Sequence, residues 1–340
     1  MSVFDIFGKM RARTTALIDI TPESVGVGYC AYPENDRPIM AYLSRMPAKT
    51  REGETIESAT HRALQEIGEI LIREGAPMLR RVADTGKADA VVVSISAPWQ
   101  ETRVAVESLE ERSPFLFTQK HMQSLFADIT PAPRRVIADI SPIDVSINGY
   151  HVENPYGKPA ERVSATMLIS SVADSLSQEI ASTLRALLHT NNIFLIASSS
   201  LIFQAVRIAL PHERDYLILD AGTPDVSIAL VRAGSIVAVS QVKDVIENEV
   251  HWPEEVHIAL KKIGQGFPLP HSIIMIGSER RQAALAHALQ NPGMIALWLS
   301  KDAPSIRLLK TEHFSPLLRQ TFEGPPDPSL ALMALYAEHA

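Results

Sequence analysis

Two aspartates stand where chemistry on a phosphate would need them. Asp19 lies in Ala16-Leu-Ile-Asp-Ile-Thr-Pro-Glu-Ser-Val-Gly-Val-Gly28, where two β-rich runs flank a Thr-Pro-Glu-Ser turn. Asp220 ends the run Tyr216-Leu-Ile-Leu-Asp220, and Ala221-Gly222-Thr223-Pro224 follows it. Tight turns present backbone N–H groups to phosphate oxygens. A carboxylate at the mouth of such a turn can hold Mg²⁺, usually through water, because that ion keeps much of its hydration. Asp19 and Asp220 are therefore the candidate metal residues, and Thr21, Gly222 and Thr223 the candidate phosphate cradle. A third piece, a strand over 271–276 running into Gly277-Ser278, would approach a nucleoside. The ligand such a set would serve is a nucleoside phosphate with Mg²⁺.

Other chemistries find less support. Gly26-Val-Gly28 is half of a dinucleotide fingerprint, but no third glycine or helix start follows, so it reads as a hairpin turn. No Walker lysine motif, His-Glu-x-x-His or Gly-x-Ser-x-Gly occurs. Ser94, Ser96 and Ser198–Ser200 have no identifiable base partner and read as packing or capping residues. The 11 histidines are scattered, and His251 and His257 miss the i, i+4 spacing of a helical metal pair. Trp99 and Trp252 read as packing residues. The single cysteine, Cys30, allows no disulfide within the chain and reads as a small buried hydrophobe. A net charge of −7, from 32 Lys+Arg against 39 Asp+Glu, argues against general nucleic-acid binding, which rests on clustered basic residues.

The elements that must position these residues follow from periodicity. The 340 residues, 46% of them hydrophobic, make two domains or one large composite. Strands fall at the two runs around Asp19 and near 39–43, and a helix at 57–82 carries Ala63, Leu64, Ile67, Ile70 and Leu71 at helical spacing. Ala90–Ser96 suits a strand covered on both faces. Residues 98–170 carry strand patterns at 102–106, 135–140 and 163–169 with a helix at 118–126, a small α+β module set into a larger α/β chain. After a helix at 172–188 and a strand and helix over 193–209, the Asp220 stretch repeats the layout of the first forty residues: strand, Asp, turn, strand, turn, strand. A last helix, near 329–338, is capped by Asp327-Pro328-Ser329. At the start of the chain, Phe4, Ile6, Phe7 and Met10 share one face of an amphipathic segment suited to a membrane surface or a partner groove. Asp5, Lys9, Arg11 and Arg13 interrupt any signal-peptide core, and no apolar run is long enough to span a bilayer. The expected location is cytoplasmic.

The order of these pieces resembles the actin-like ATPase superfamily, specifically the bacterial FtsA and PilM family. The resemblance is carried by Pro142-Ile-Asp-Val-Ser-Ile-Asn-Gly-Tyr150 with Asn154-Pro-Tyr-Gly157, by Leu195–Phe203 ahead of Asp220-Ala-Gly222, and by Asp327 to Tyr336. It implies an α/β, actin-like (ribonuclease H-like) two-lobed fold. An amphipathic segment would occupy 1–15. One lobe would comprise 16–97, 171–214 and the return 305–340, interrupted by an inserted α+β module at 98–170. A shortened second lobe would comprise 215–304. The departures from the family pattern point one way. Thr21-Pro22 fills the first turn, Pro224 and Asp225 replace the pattern of the second, and Ser278-Glu279 adds bulk and charge beside Gly277. Between the second hairpin and the nucleoside-side strand, residues 244–270 leave room for one helix. The chain also ends at Ala340, straight after its last helix, where FtsA carries a membrane-binding tail, so the Phe4-Ile6-Phe7-Met10 face would substitute. The resemblance therefore implies an adaptor at the inner face of the membrane with weak or lost ATP hydrolysis. Its partners would be proteins of a divisome or pilus machine, with self-association and peripheral membrane contact and no nucleic acid. The FtsA-like Asn148-to-Gly157 segment ranks division ahead of the type IV pilus and of a working ATPase.

Overall fold

A computed structural model describes residues 13–222, 225–243, 252–277, 279–299, 302–310, 313–314, 316–324 and 327–339. The chain opens with an antiparallel meander of β1 (Thr14–Ile20), β2 (Ser24–Ala31) and β3 (Ile39–Pro47). α1 (Ile56–Ile70), N-capped by the Thr55 side chain, runs through a π-helical turn at Leu71–Gly75 into α2 (Ala76–Ala83). Pro77 has no N–H for the carbonyl four residues back, and the wide turn sits just ahead of it. β4 (Ala90–Ile95), buried along its whole length, pairs parallel to β1.

β5 (Gln100–Leu116), α3 (Gln119–Phe126), β6 (Arg135–Ile147), β7 (Tyr150–His151) and β8 (Pro159–Ala173) form a separate antiparallel sheet in the order β5-β8-β6-β7. The strand patterns in the sequence mark only the apolar centres of these long strands. Pairing continues outward from them, to Gln100↔Val172 at one end and Leu116↔Pro159 at the other, where the far half of β5 faces solvent. Asn148 and Gly149, at φ 52° and 87°, make the tight turn between β6 and β7.

α4 (Asp174–Leu188), β9 (Ile193–Ala197) and α5 (Ser198–Ala209) follow. A second meander, β10 (Tyr216–Ala221), β11 (Val226–Arg232) and β12 (Ser235–Val242), leads to α6 (Trp252–Gly266), β13 (Ser272–Gly277), α7 (Glu279–Leu289) and α8 (Pro292–Ile295). β14 (Ser305–Leu308), β15 (Arg319–Gln320) and α9 (Pro328–His339) complete the chain. Among the described residues, α6 is the one helix between β12 and β13.

The two large sheets share a plan. The first has the order β15-β3-β2-β1-β4-β9 and the second β12-β11-β10-β13-β14. In each, the first strand of an antiparallel meander also pairs parallel to a later strand, β1 with β4 and β10 with β13. The duplication read in the sequence is therefore a duplication of topology. α5 and α9 pack between the sheets, in a core that takes Leu17 and Met40 from the first and Ile218 and Ile274 from the second. Every residue of α9 from Leu330 to Ala337 is buried, as an apolar helix without a polar face must be. Gly26 and Gly28 lie inside β2, not in a hairpin turn as their spacing suggests. A Cβ on Gly28 would come within 2.9 Å of the Tyr42 carbonyl oxygen, so close strand packing explains that glycine. Among the described residues no helix is long and apolar enough to cross a membrane.

Candidate functional site

β1 and β10 each carry their aspartate as the last residue but one, on a strand with an antiparallel neighbour on one side and a parallel one on the other. In α/β sheets that is where ligands collect, beyond the carboxyl ends of the strands. A cleft of about 400 Å³ opens there between the two sheets. Asp19, Thr21 and Arg45 line it from the first sheet, and Asp220, Gly222 and Gly277 from the second. Five of the sequence-derived candidates thus meet at one cleft. Thr223, Ser278 and the Phe4, Ile6, Phe7 and Met10 face lie outside the described residues.

Asp19 is 3% exposed and is held by Arg45, whose Nη2 donates to Oδ2 at 2.8 Å. The same guanidinium donates from Nε to Asp327 Oδ2 at 2.7 Å and from Nη1 to Ser24 Oγ at 3.0 Å. Burial alone would weaken the Arg45 proton; Asp19 and Asp327 outweigh it and hold its pKa above the ordinary arginine value. Across the cleft, Asp220 is pushed up to about 7, first by burial, with the Asp19 charge adding and the Arg281 charge and the Gly222 N–H opposing.

The first turn is closed on itself. Thr21 N–H donates to the Ser24 carbonyl at 3.0 Å, the Thr21 hydroxyl donates to the same carbonyl at 2.9 Å, and Ser24 N–H donates to Thr21 Oγ1 at 3.0 Å. In the second hairpin Asp225 is buried and accepts from Gln241 Nε2 at 2.9 Å. Gly277 has φ 131°, and a Cβ there would lie 2.6 Å from the Ala221 carbonyl oxygen, so the contact between β13 and β10 itself demands glycine.

Ser199 and Trp99 have structural partners. The Ser199 hydroxyl donates to Gln100 Oε1 at 2.9 Å and lies 2.8 Å from Thr102 Oγ1, joining α5 to β5. Trp99 Nε1–H donates to Glu57 Oε1 at 3.0 Å. Burial pushes the Cys30 thiol up to about 12, so it stays protonated and inert. Arg45 is the residue that sequence reading missed. No local motif marks it; it comes into view only when β3 is registered against β2 and β1.

No family model and no curated relative matches the sequence. Solved structures do. A chain of the PilM-PilN type IV pilus biogenesis complex superposes with a TM-score of 0.59 at 14% identity, over 95% of this chain and 98% of that one. The chain has an actin-like ATPase fold. A Bacteroides thetaiotaomicron protein with an actin-like ATPase fold and unknown function gives 0.49 at 9% identity, over 95% of both chains. An Aquifex aeolicus member of the Ppx/GppA family gives 0.39 at 12% identity, over 84% of this chain and 73% of that one.

Proteins of this fold generally bind ATP with Mg²⁺ in the cleft between the lobes. The residues here do not fit that pair. The turn donors expected to cradle phosphate are spent within the turn at Thr21 and Ser24, and Pro22 has none. Asp19 is already paired to a cation. Among the described residues five carboxylates, Asp19, Glu23, Asp220, Asp225 and Asp327, and one basic side chain, Arg45, line the cleft, and the Arg281 charge also reaches Asp220. That charge balance opposes a polyanion. No group of three or more potential metal ligands is assembled among the described residues.

Proposed function

We propose that this chain is an actin-like scaffold that docks a protein partner of a type IV pilus-type assembly machine and does not turn over ATP. The observation that carries this reading is the coextensive likeness to PilM, over 95% of this chain and 98% of that chain, in a structure where PilM is complexed with PilN. The spent turn donors and the acidic cleft support the absence of an ATP cycle. The proposed site is the inner face of the cell membrane. The N-terminal Phe4, Ile6, Phe7 and Met10 face would supply membrane or partner contact, and the four-stranded sheet of β5 to β8 a surface for a partner or for self-association.

A division role rests on the Asn148-to-Gly157 segment. Local turn chemistry accounts for Asn148 and Gly149, whose positive φ angles a two-residue hairpin requires and whose residue types supply it. The Asn148 side chain also accepts from the N–H groups of Glu161 and Arg162. That segment therefore does not discriminate, and the preference passes to the pilus machine.

The test is calorimetric titration of the full chain with the PilN homologue encoded in the same genome, with and without Mg²⁺–ATP. The expected result is stoichiometric binding that nucleotide leaves unchanged. Binding to the tubulin-like FtsZ and not to the PilN homologue would return the division reading.

A further inference from the structure

We propose that Arg45 is a resident cation that takes the place of the metal ion in this cleft, so that the first hairpin holds its form with no ligand bound. The inference rests on the reading of the cleft as one without an ATP cycle, and it adds what replaces the ion.

The geometry comes from strand register. Asp19 on β1 faces Gly26 on β2, and Gly26 faces Arg45 on β3. The three residues form one row across the sheet. Gly26 has no side chain, and the guanidinium lies over its bare backbone: a Cβ there would be 2.6 Å from Arg45 Nη2 and 2.8 Å from Cζ. A Cβ at 26 would oblige the guanidinium to shift from this position. The glycine in mid-strand, which costs β-sheet stability and has no turn to make, is explained by this passage.

The partners are three structures that a bound ligand would otherwise have to organise. Asp19 ends β1. Ser24 closes the turn through its bonds with Thr21. Asp327 caps α9, its Oδ1 accepting from Leu330 N–H at 3.1 Å while Oδ2 takes the Arg45 bond. A buried carboxylate without a counter-charge is strongly unfavourable, and a planar guanidinium with several donors can answer two carboxylates and a hydroxyl together. With Arg45 in that place, Asp19 has no unmet charge to offer Mg²⁺.

The experiment is a double-variant cycle on the full chain, read by thermal and urea unfolding, with MgCl₂ alone as the probe. Arg45→Met should lower the unfolding midpoint by several degrees, because it leaves Asp19 buried and unpaired. Adding Asp19→Asn should restore most of that loss, a coupling of about tenfold in the unfolding equilibrium. Millimolar MgCl₂ should raise the midpoint of Arg45→Met and leave the wild type unmoved. Gly26→Ala should reproduce the loss in milder form. Additive effects of the two substitutions, or a double variant no more stable than Arg45→Met, would overturn the inference. So would a wild type as responsive to Mg²⁺ as Arg45→Met. Those outcomes would leave the scaffold reading standing, whereas ATP turnover by the wild type would remove the reading itself.

Discussion

Asp139 shows how a single buried group sets a pH dependence. It is 3% exposed, accepts from the Ser141 hydroxyl at 2.6 Å, and is pushed up to about 6 by burial, with the Ser141 and Gln204 bonds pulling the other way. A carboxyl whose folded pKa lies above its unfolded value binds its proton more tightly in the native state. Its contribution to stability is present below the unfolded pKa and is lost as pH rises from about 4 to about 6. Asp139→Asn keeps an acceptor for Ser141 and removes the titration. The stability of the variant relative to wild type should therefore rise across that window, by at most on the order of 3 kcal/mol. Urea unfolding of both chains at several pH values from 4.5 to 7.5 measures it, and a constant difference would contradict it. At this scale the sequence was partly legible. Asp19 and Asp220 announced themselves because each sits at the end of an apolar run beside a turn. Arg45, Gly26 and Asp139 did not, because each owes its role to a partner on another strand or helix that spacing along the chain does not reveal.

Elements with strong periodicity were read closely: α3, α4, β4 and the cap of α9 lie where the pattern put them. The strands of the four-stranded sheet were read short, since the far half of β5 and the start of β8 face solvent and carry polar residues that look like loop. The π-helical turn before Pro77 was invisible to a 3.6-residue period. α9 is the element whose packing the fold depends on most. It presents apolar side chains on every side, and Leu332 is fully buried between the sheets. Leu332→Ala should cost about 3 kcal/mol, the transfer free energy of the lost atoms plus the cavity they leave. An equal substitution at exposed Leu299, 89% accessible, should cost well under 1 kcal/mol. Denaturant midpoints of the two variants test this, and similar losses at both sites would contradict the placement of α9 in a shared core.

The whole molecule is a duplicated sheet plan closed around two apolar helices, with its cleft at the paired ends of β1 and β10. The duplication was legible because strand, Asp, turn and strand recur in order. The cleft's chemistry was legible only as departures from a family pattern at Thr21-Pro22 and Asp225, since the bonds that spend the turn donors depend on the folded turn. The account holds that this cleft has the architecture of a nucleotide clamp, but that its first turn spends the Thr21 and Ser24 donors on itself and Arg45 meets the Asp19 charge, so that it does not hold Mg²⁺–ATP. Calorimetric titration of the full chain with Mg²⁺–ATP, alongside Asp220→Ala, tests that most directly. The account predicts no binding heat at millimolar nucleotide for either protein. Micromolar binding by the wild type that Asp220→Ala abolishes would contradict it.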